Sequence, residues 1–505
     1  MPPPSLGDPG GDPQARREVA LMLAVVAAIA VCLRAWMLWT TNATDTAALI
    51  TLRMSENLAH GQGFVYNAGE PVLGTTAPLW AMVMALVIKL GAPGLAAGKV
   101  ITIAADGGLC VVTYLWLRQL GHERAGRLAS VLIAMSPRLI HWSISGMGAS
   151  LITLGSISVW LAYAKRRDLL AAVLLGVLFV ARWDTLLLTG VYAIAVTLRD
   201  RRLPLRSVGV FILTVAPWIV VATLYFGNPI PVTWAAKRIV QQRVLGEVFA
   251  PYAREILHIL VTDALDVMLS LAALTGLVLL IVRRRTSFYP ALAWYALFWV
   301  VFVVSKAAPS DRYALRTYPI YLAFASIAAV EIASRAAVLV PRVERWIVPA
   351  LGATAASVAV GPLLAAQHRL RSNQVFEQTV RAPVGRWLDE HAASSDRVFI
   401  SSQSSIGYIG YYAHRPILDP KGLVTPEVLP YWSPEHRYPD LAIVRAFRPT
   451  WCVVRNDELP VFKQVAASSG HPWDDDYRLA FASPNEASPI YYVFRRNEPT
   501  AARLP

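Results

Sequence analysis

The sequence predicts a polytopic α-helical membrane protein that ends in a small α/β unit. Three observations carry this expectation. Of the 505 residues, 55% are hydrophobic and only 16% charged, whereas a soluble chain carries roughly a quarter charged residues. Apolar runs near the ~20 residues that cross a bilayer recur along the first three quarters of the chain. After about residue 367 those runs stop and charges become frequent.

The net charge of +14 does not read as a nucleic-acid surface, because the basic residues alternate with the apolar runs. Clusters stand at Arg16-Arg17, Arg118 to Arg127, Lys165 to Arg167, Arg199 to Arg206, Arg283 to Arg285 and Arg335 to Arg345. That is the positive-inside pattern, with Lys and Arg kept on the cytoplasmic side. It predicts about eleven spans, at 19–40, 98–117, 125–140, 149–164, 168–182, 185–198, 207–226, 262–282, 287–305, 315–334 and 346–366. An odd number leaves residues 367–505 outside the cytoplasm.

The first span follows a start, "MPPPSLGDPGGDPQ", whose composition predicts disorder through residue 18. Arg16-Arg17 and the apolar run resemble a signal peptide, but no small-x-small cleavage site follows, so the segment reads as an uncleaved span. Residues 41–97 then form the first outer loop. Within it, 77–90 is apolar but short and carries Lys89, which suits a helix lying in the membrane interface. In the terminal unit, "DRVFISSQSSIGYIGYY", "PTWCVVRND" and "PIYYVFRR" read as strands and turns, and "APVGRWLDEHA" as an amphipathic helix.

The first outer loop holds the strongest local pattern. Ile50, Met54 and Leu58 repeat every four residues, and Arg53, Glu56, Asn57 and His60 share another face. Thr44 and Asp45 stand where an N-cap belongs. Gly61 and Gly63 would end the helix and turn the chain back, so that 64–80 lies as a lid along the membrane surface. On these residues alone, the segment is either an ordinary interfacial helix capped by Asp45 or one whose polar face, with Arg53, Glu56, Asn57 and His60, lines a cavity.

Several stretches resemble one known family. "TDTAALITLRMSENLAHGQGFVYNAGEPVLGTTAPLWAMVMAL" (44–86) is similar to the first outer loop of GT-C glycosyltransferases of the bacterial protein-mannosyltransferase-like and arabinofuranosyltransferase-like kind. "FVARWDTLLL" (179–188), "YFGNPIPVTWAAKR" (225–238) and "IGYIGYYAHRPILDPKGLVTPEV" (406–428) resemble further family elements. The resemblance implies transfer of a sugar from a polyprenyl-phosphate carrier to an acceptor hydroxyl on a glycan, lipid or protein, at the outer face of the cytoplasmic membrane. It implies no nucleotide and no cofactor, and no Rossmann glycine fingerprint is found in a strand-to-helix setting. Such chemistry needs a carboxylate base and cations for the departing phosphate. Asp45 is the expected base. Arg312, Arg316, Lys237 and Arg238 are the expected phosphate ligands, and Arg182 with Asp184 is expected to line the cavity or to pair locally.

The chain departs from the family at acidic positions. Two adjacent acids usually stand where Thr46 and Ala47 stand here, and Gly148 replaces the acid of a "SGME" motif. A catalytically silent relative that binds glycan or a partner is therefore the main alternative. A carrier-lipid transporter is the other, although no inverted repeat is evident. Among other candidates, His141 and the aromatic "GYIGYY" could contact an acceptor, and Asp106 within an apolar helix is placed to bond a neighbouring helix. Cys32, Cys110 and Cys452 show no metal spacing.

Overall fold

The computed structural model describes residues 13–240, 245–304, 311–338, 341–401, 406–433, 439–483 and 490–497. In chain order its helices are α1 (Pro13–Thr41), α2 (Thr46–Ala59), α3 (Pro78–Lys89), α4 (Gly94–Gln119), α5 (Glu123–Met135), α6 (Pro137–Ile144), α7 (Ala149–Ala164), α8 (Asp168–Ala181) and α9 (Leu186–Asp200). They continue with α10 (Leu205–Phe226), α11 (Val232–Val240), α12 (Leu245–Val261), α13 (Ala264–Val282), α14 (Tyr289–Val304), α15 (Asp311–Ala314), α16 (Tyr318–Ala337) and α17 (Ile347–Phe376).

A helix falls on every expected span. Among the described residues, seven helical segments are long and apolar enough to cross a membrane; they contain α1, α4, α10, α13, α14, α16 and α17. Helices α5, α7, α8 and α9 run only 13, 16, 14 and 15 residues. At 1.5 Å per residue, none of these reaches across a ~30 Å hydrocarbon layer by itself. The protein is a polytopic α-helical membrane protein, with eleven helices on the expected spans but seven of spanning length. Helix α1 begins at Pro13, so residues 13–18 are helical where disorder was expected, and residues 1–12 lie outside the described residues. Helices α11 and α12 occupy a stretch that the hydropathy pattern leaves as loop.

Asp106 is answered by a partner that the sequence did not flag. Arg34, fully buried on α1, donates to Asp106 on α4 at 2.5 Å and to the Ala134 and Ile133 carbonyls of α5 at 2.8 and 3.1 Å. Charges deep in an apolar bundle persist only when paired in this way, so the pair ties three helices together at one register.

Helix α17 is 30 residues, about 45 Å, and extends well beyond its spanning part. It passes through a π-turn, Glu377–Arg381, directly into α18 (Ala382–His391). Five strands follow: β1 (Val398–Ile400), β2 (Ile417–Leu418), β3 (Trp451–Arg455), β4 (Tyr477–Ala482) and β5 (Tyr491–Arg496), in the order β2-β1-β3-β5-β4. β1 runs parallel to β2 and β3, while β5 is antiparallel to β3 and β4. Val384, Leu388, Ile409 and Ala413 cover one face, and Leu441, Val444, Phe462 and Trp473 the other. Buried residues alternate between these faces along β3, as period-2 strands require. The first cluster also takes in Ile50, Met54, Phe64, Tyr66 and Leu73, so the first loop and the terminal unit share one core.

Candidate functional site

The break between α8 and α9 builds one wall of a cleft. Arg182 leaves the helix in an extended conformation, and a tight turn, Trp183–Thr185, starts the next helix. Arg182 Nη2 lies 2.9 Å from Asp184 Oδ2, and Arg316 Nη1 lies 2.7 Å from Asp184 Oδ1. Arg182 Nη1 also donates to Thr76 Oγ1 at 3.1 Å. Burial opposes ionisation of Asp184, yet the Arg182 and Arg316 guanidiniums outweigh it and hold the carboxyl well below the usual range.

The facing wall comes from the segment after α10. Asn228 Oδ1 accepts from the Ile230 amide at 2.9 Å, and the Val232 amide donates to the Leu73 carbonyl at 3.3 Å. These bonds and two prolines fix the start of α11, which carries Lys237 and Arg238. Lys237 Nζ and Arg312 Nη2 both donate to the Tyr313 hydroxyl, at 3.3 and 3.4 Å. Burial pushes Tyr313 up, but the charges of Arg312, Lys237 and Arg182 prevail and bring its hydroxyl to about 6. Burial also lowers Lys237. Cations outnumber carboxylates here among the described residues.

Between the walls lies a cleft of about 460 Å³. Thr76, Arg182, Asp184, Lys237, Arg238 and Tyr313 form its polar head, and Leu187, Val191, Ile194, Leu297, Val301 and Phe302 its apolar floor. A cationic head above an apolar trough is the shape of a site for an anionic amphiphile. Guanidinium and ammonium groups bind phosphate oxygens, while the floor takes hydrocarbon.

Six of the expected residues thus come together, but not all of them line the cleft. Arg316 is only 6% exposed in its side chain and sits behind Asp184, so it fixes that carboxylate instead of reaching a ligand. Arg312 stands beside Tyr313, its guanidinium 5.1 Å from the ring centroid.

The expectation for Arg53, Glu56, Asn57 and His60 is corrected. Arg53 is buried, donates to the Gly410 and Arg415 carbonyls at 2.6 and 2.8 Å, and stacks on Tyr66 at 4.3 Å. Glu56 accepts from the Tyr411 hydroxyl at 2.7 Å. Asn57 Nδ2 donates to the Val65 and Tyr66 carbonyls at 2.8 and 3.2 Å. His60 is an exposed C-cap. This polar stripe faces the terminal unit and the returning loop, and it lines neither the cleft nor the cavity beside Asp45. Nor is 64–80 a surface lid, because Phe64, Val65, Tyr66 and Leu73 are buried.

Asp45 caps α2, accepting from the Ala47 amide at 2.8 Å, and also opens onto a second cavity of about 360 Å³. Thr46, His141, Ser145, Asn373, Gln374, Glu377 and Arg381 share its wall. The turn at residues 145–147 touches both Asp45 and Arg312. The Asp45 amide donates to the Ser145 carbonyl at 3.0 Å, and Met147 Sδ lies 4.0 Å from Arg312 Nη1. Sequence reasoning passes over Tyr313, Thr76 and Glu377. Tyr313 could have been noticed between two arginines in "DRYALR", whereas nothing local marks Glu377 except an Arg four residues on. Among the described residues, no three His, Cys, Asp or Glu side chains gather into a group that could hold a metal.

Residues 370–496 match a family described as a domain of unknown function, DUF8728. No curated protein matches the chain in sequence. Solved structures resemble it over nearly its whole length. ArnT from Cupriavidus metallidurans bound to undecaprenyl phosphate superposes with a TM-score of 0.63 at 13% identity, over 95% of this chain and 98% of that one. The apo ArnT structure gives 0.62 with the same identity and coverage. Archaeal oligosaccharyltransferase AglB from Archaeoglobus fulgidus, in complex with an inhibitory peptide and a dolichol-phosphate, gives 0.59 at 12% identity, over 95% of this chain and 74% of that one. At such identities the likeness is one of architecture, and by that architecture the chain has the GT-C fold of membrane glycosyltransferases.

Proposed function

We propose that this chain transfers a sugar from a polyprenyl-phosphate carrier to an acceptor hydroxyl at the outer face of the cytoplasmic membrane. The observation that carries the reading is the cleft between α9, α11 and α14, whose cationic head and apolar floor match the two ends of a lipid phosphate. A structure of the same fold holding undecaprenyl phosphate supports it further. In this reading Lys237, Arg238 and Arg182 bind the phosphate, with Tyr313 holding Lys237 and Asp184 holding Arg182 in place. Asp45 takes the proton of the acceptor hydroxyl as its oxygen bonds the anomeric carbon. The bond from that carbon to the phosphate oxygen breaks, and the electron pair leaves with the phosphate, where the cations stabilise it.

Purified protein in lipid nanodiscs, supplied with polyprenyl-phosphate sugars, should release polyprenyl phosphate as product forms. General-base catalysis contributes about 10²–10⁴-fold, so Asp45→Asn should lower turnover by roughly that factor. Asn caps a helix about as well as Asp, and thermal stability should therefore hold. Near-equal rates would remove Asp45 from the mechanism.

The same reading places the terminal unit outside the cytoplasm, on the strength of the positive-inside pattern. Alkaline phosphatase fused after Arg371 should be active, and an inactive fusion beside a fluorescent cytoplasmic reporter at that site would overturn the topology. A silent glycan-binding relative remains the second reading. It is favoured by the filled surroundings of two missing acids: Thr46 packs against Gly407, and Gly148 against Trp80.

A further inference from the structure

The second cavity has a wall unlike that of the cleft. Asp45, His141, Ser145, Gln374, Glu377 and Arg381 contribute to it, and most of what they present is hydrogen-bonding surface. Its placement depends on the π-turn. Pro383 has no N–H to give the Thr379 carbonyl, which is four residues earlier, so widening the helix there forfeits little. Such single π-turns occur frequently at functional sites. Here the turn brings Glu377 to the start of α2, where the Thr44 amide donates to Gln374 Oε1 at 3.0 Å.

Glu377 is held by one oxygen only. Its Oε1 pairs with Arg381, whose Nε donates to the Tyr491 hydroxyl at 2.9 Å. Its Oε2 is buried and has no hydrogen-bond partner among the described residues, and the side chain is 15% exposed. A buried carboxylate oxygen without a donor costs free energy unless something fills the space beside it.

We propose that this cavity is the acceptor site, that it takes a carbohydrate, and that Glu377 is a second acceptor-contacting carboxylate which accepts a hydrogen bond from a hydroxyl next to the one Asp45 deprotonates. The proposal rests on the transferase reading above. Paired carboxylates, amides and an imidazole suit the hydroxyls of a sugar ring, which present donors and acceptors in close succession. An alkyl alcohol, with its one hydroxyl given to Asp45, or an apolar peptide surface would leave Glu377 Oε2 unmet. Glu377 would also restore an acid to a chain whose family positions hold Thr46, Ala47 and Gly148.

The charged and titratable groups facing Glu377 are Asp45 at the start of α2, His141 on α6, Arg381 on its own turn and Tyr408 from the terminal unit. The spanning part of α17 ends near residue 366, so Glu377 stands beyond the bilayer core. Burial, chiefly, raises its carboxyl to about 7 against the pull of Arg381, and the Asp45 charge adds to the rise. Since the ionised form is the one that accepts from the sugar, acceptor kcat/KM should climb with pH through about 7.

The test measures transfer from a polyprenyl-phosphate sugar to octyl mannoside and octyl arabinofuranoside, with octanol as the plain-hydroxyl control. At least one glycoside should be used far better than octanol. Glu377→Gln should raise the acceptor KM by roughly tenfold or more, the order a charge-assisted hydrogen bond contributes, and should flatten the pH limb near 7. Were Glu377→Gln to accumulate poorly, Glu377→Asp takes its place, with the KM raised and the limb retained. Preference for octanol or water over both glycosides overturns the proposal, as does a variant whose KM and pH profile match wild type. No turnover of any polyprenyl-phosphate sugar, with or without acceptor, would instead overturn the transferase reading.

Discussion

At Gly148 the backbone has φ +70°, and a Cβ built there would lie 2.8 Å from the Trp80 ring. Trp80 cannot step aside cheaply, because its Nε1 donates to the Gly146 carbonyl at 3.0 Å in the same turn. The acid that the resemblance leads one to expect at this position therefore has no room here. Gly148→Glu combines a left-handed backbone with overpacking, which together cost about 3 kcal/mol. Thermal unfolding in detergent should show a lowered melting temperature, and turnover should not rise. A variant with unchanged melting and faster turnover would mean that the turn can open and that the glycine is a lost catalytic position. At this scale the sequence was informative about type but not about partner. Asp106 was legible as a charge in need of a neighbour, while Arg34 was hidden inside an otherwise uniform apolar run.

Helix α2 shows how far an element can be read. Its period, its Asp45 cap and the positive φ of Gly61 and Gly63, 78° and 94°, all follow from local chemistry. The partner of its polar stripe does not, because periodicity identifies a face without saying what meets it. That face meets the terminal unit, and Arg53 is its firmest contact. Arg53→Met keeps the apolar stem but leaves the Gly410 and Arg415 carbonyls without their donor. Hydrogen bonds to charged groups contribute about 1.5–3 kcal/mol each, so the loss should be about 3 kcal/mol. Calorimetry and limited proteolysis should show earlier melting and faster cleavage of the terminal unit. Wild-type behaviour in both would show that the stripe does not hold the unit. The π-turn after α17 illustrates the opposite limit: Glu377 meets the start of α2 only because some 330 residues of intervening chain fold back, and no window of sequence contains both.

For the whole molecule, the fold class and the eleven helical segments were legible because hydropathy acts locally and additively. So were the short helices, since α7, α8 and α9 lie within two residues of the expected 149–164, 168–182 and 185–198; what no hydropathy pattern shows is that at Arg182 a cleft and not the bilayer sets the geometry. The cations around that cleft were named from the sequence at three separate places along the chain. Only the fold shows that Arg316 is spent on Asp184 while Lys237 and Arg238 reach the opening. The central claim is that this one cleft takes both ends of a lipid phosphate. Native mass spectrometry of the protein released from nanodiscs, loaded with polyprenyl phosphate or with the uncharged polyprenol of equal length, tests it most directly. Saturable retention of polyprenyl phosphate, weak retention of polyprenol, and loss of that difference in the Lys237→Ala, Arg238→Ala double variant are the predicted results. Equal retention of the two lipids, or a double variant that still prefers the phosphate, would contradict the account.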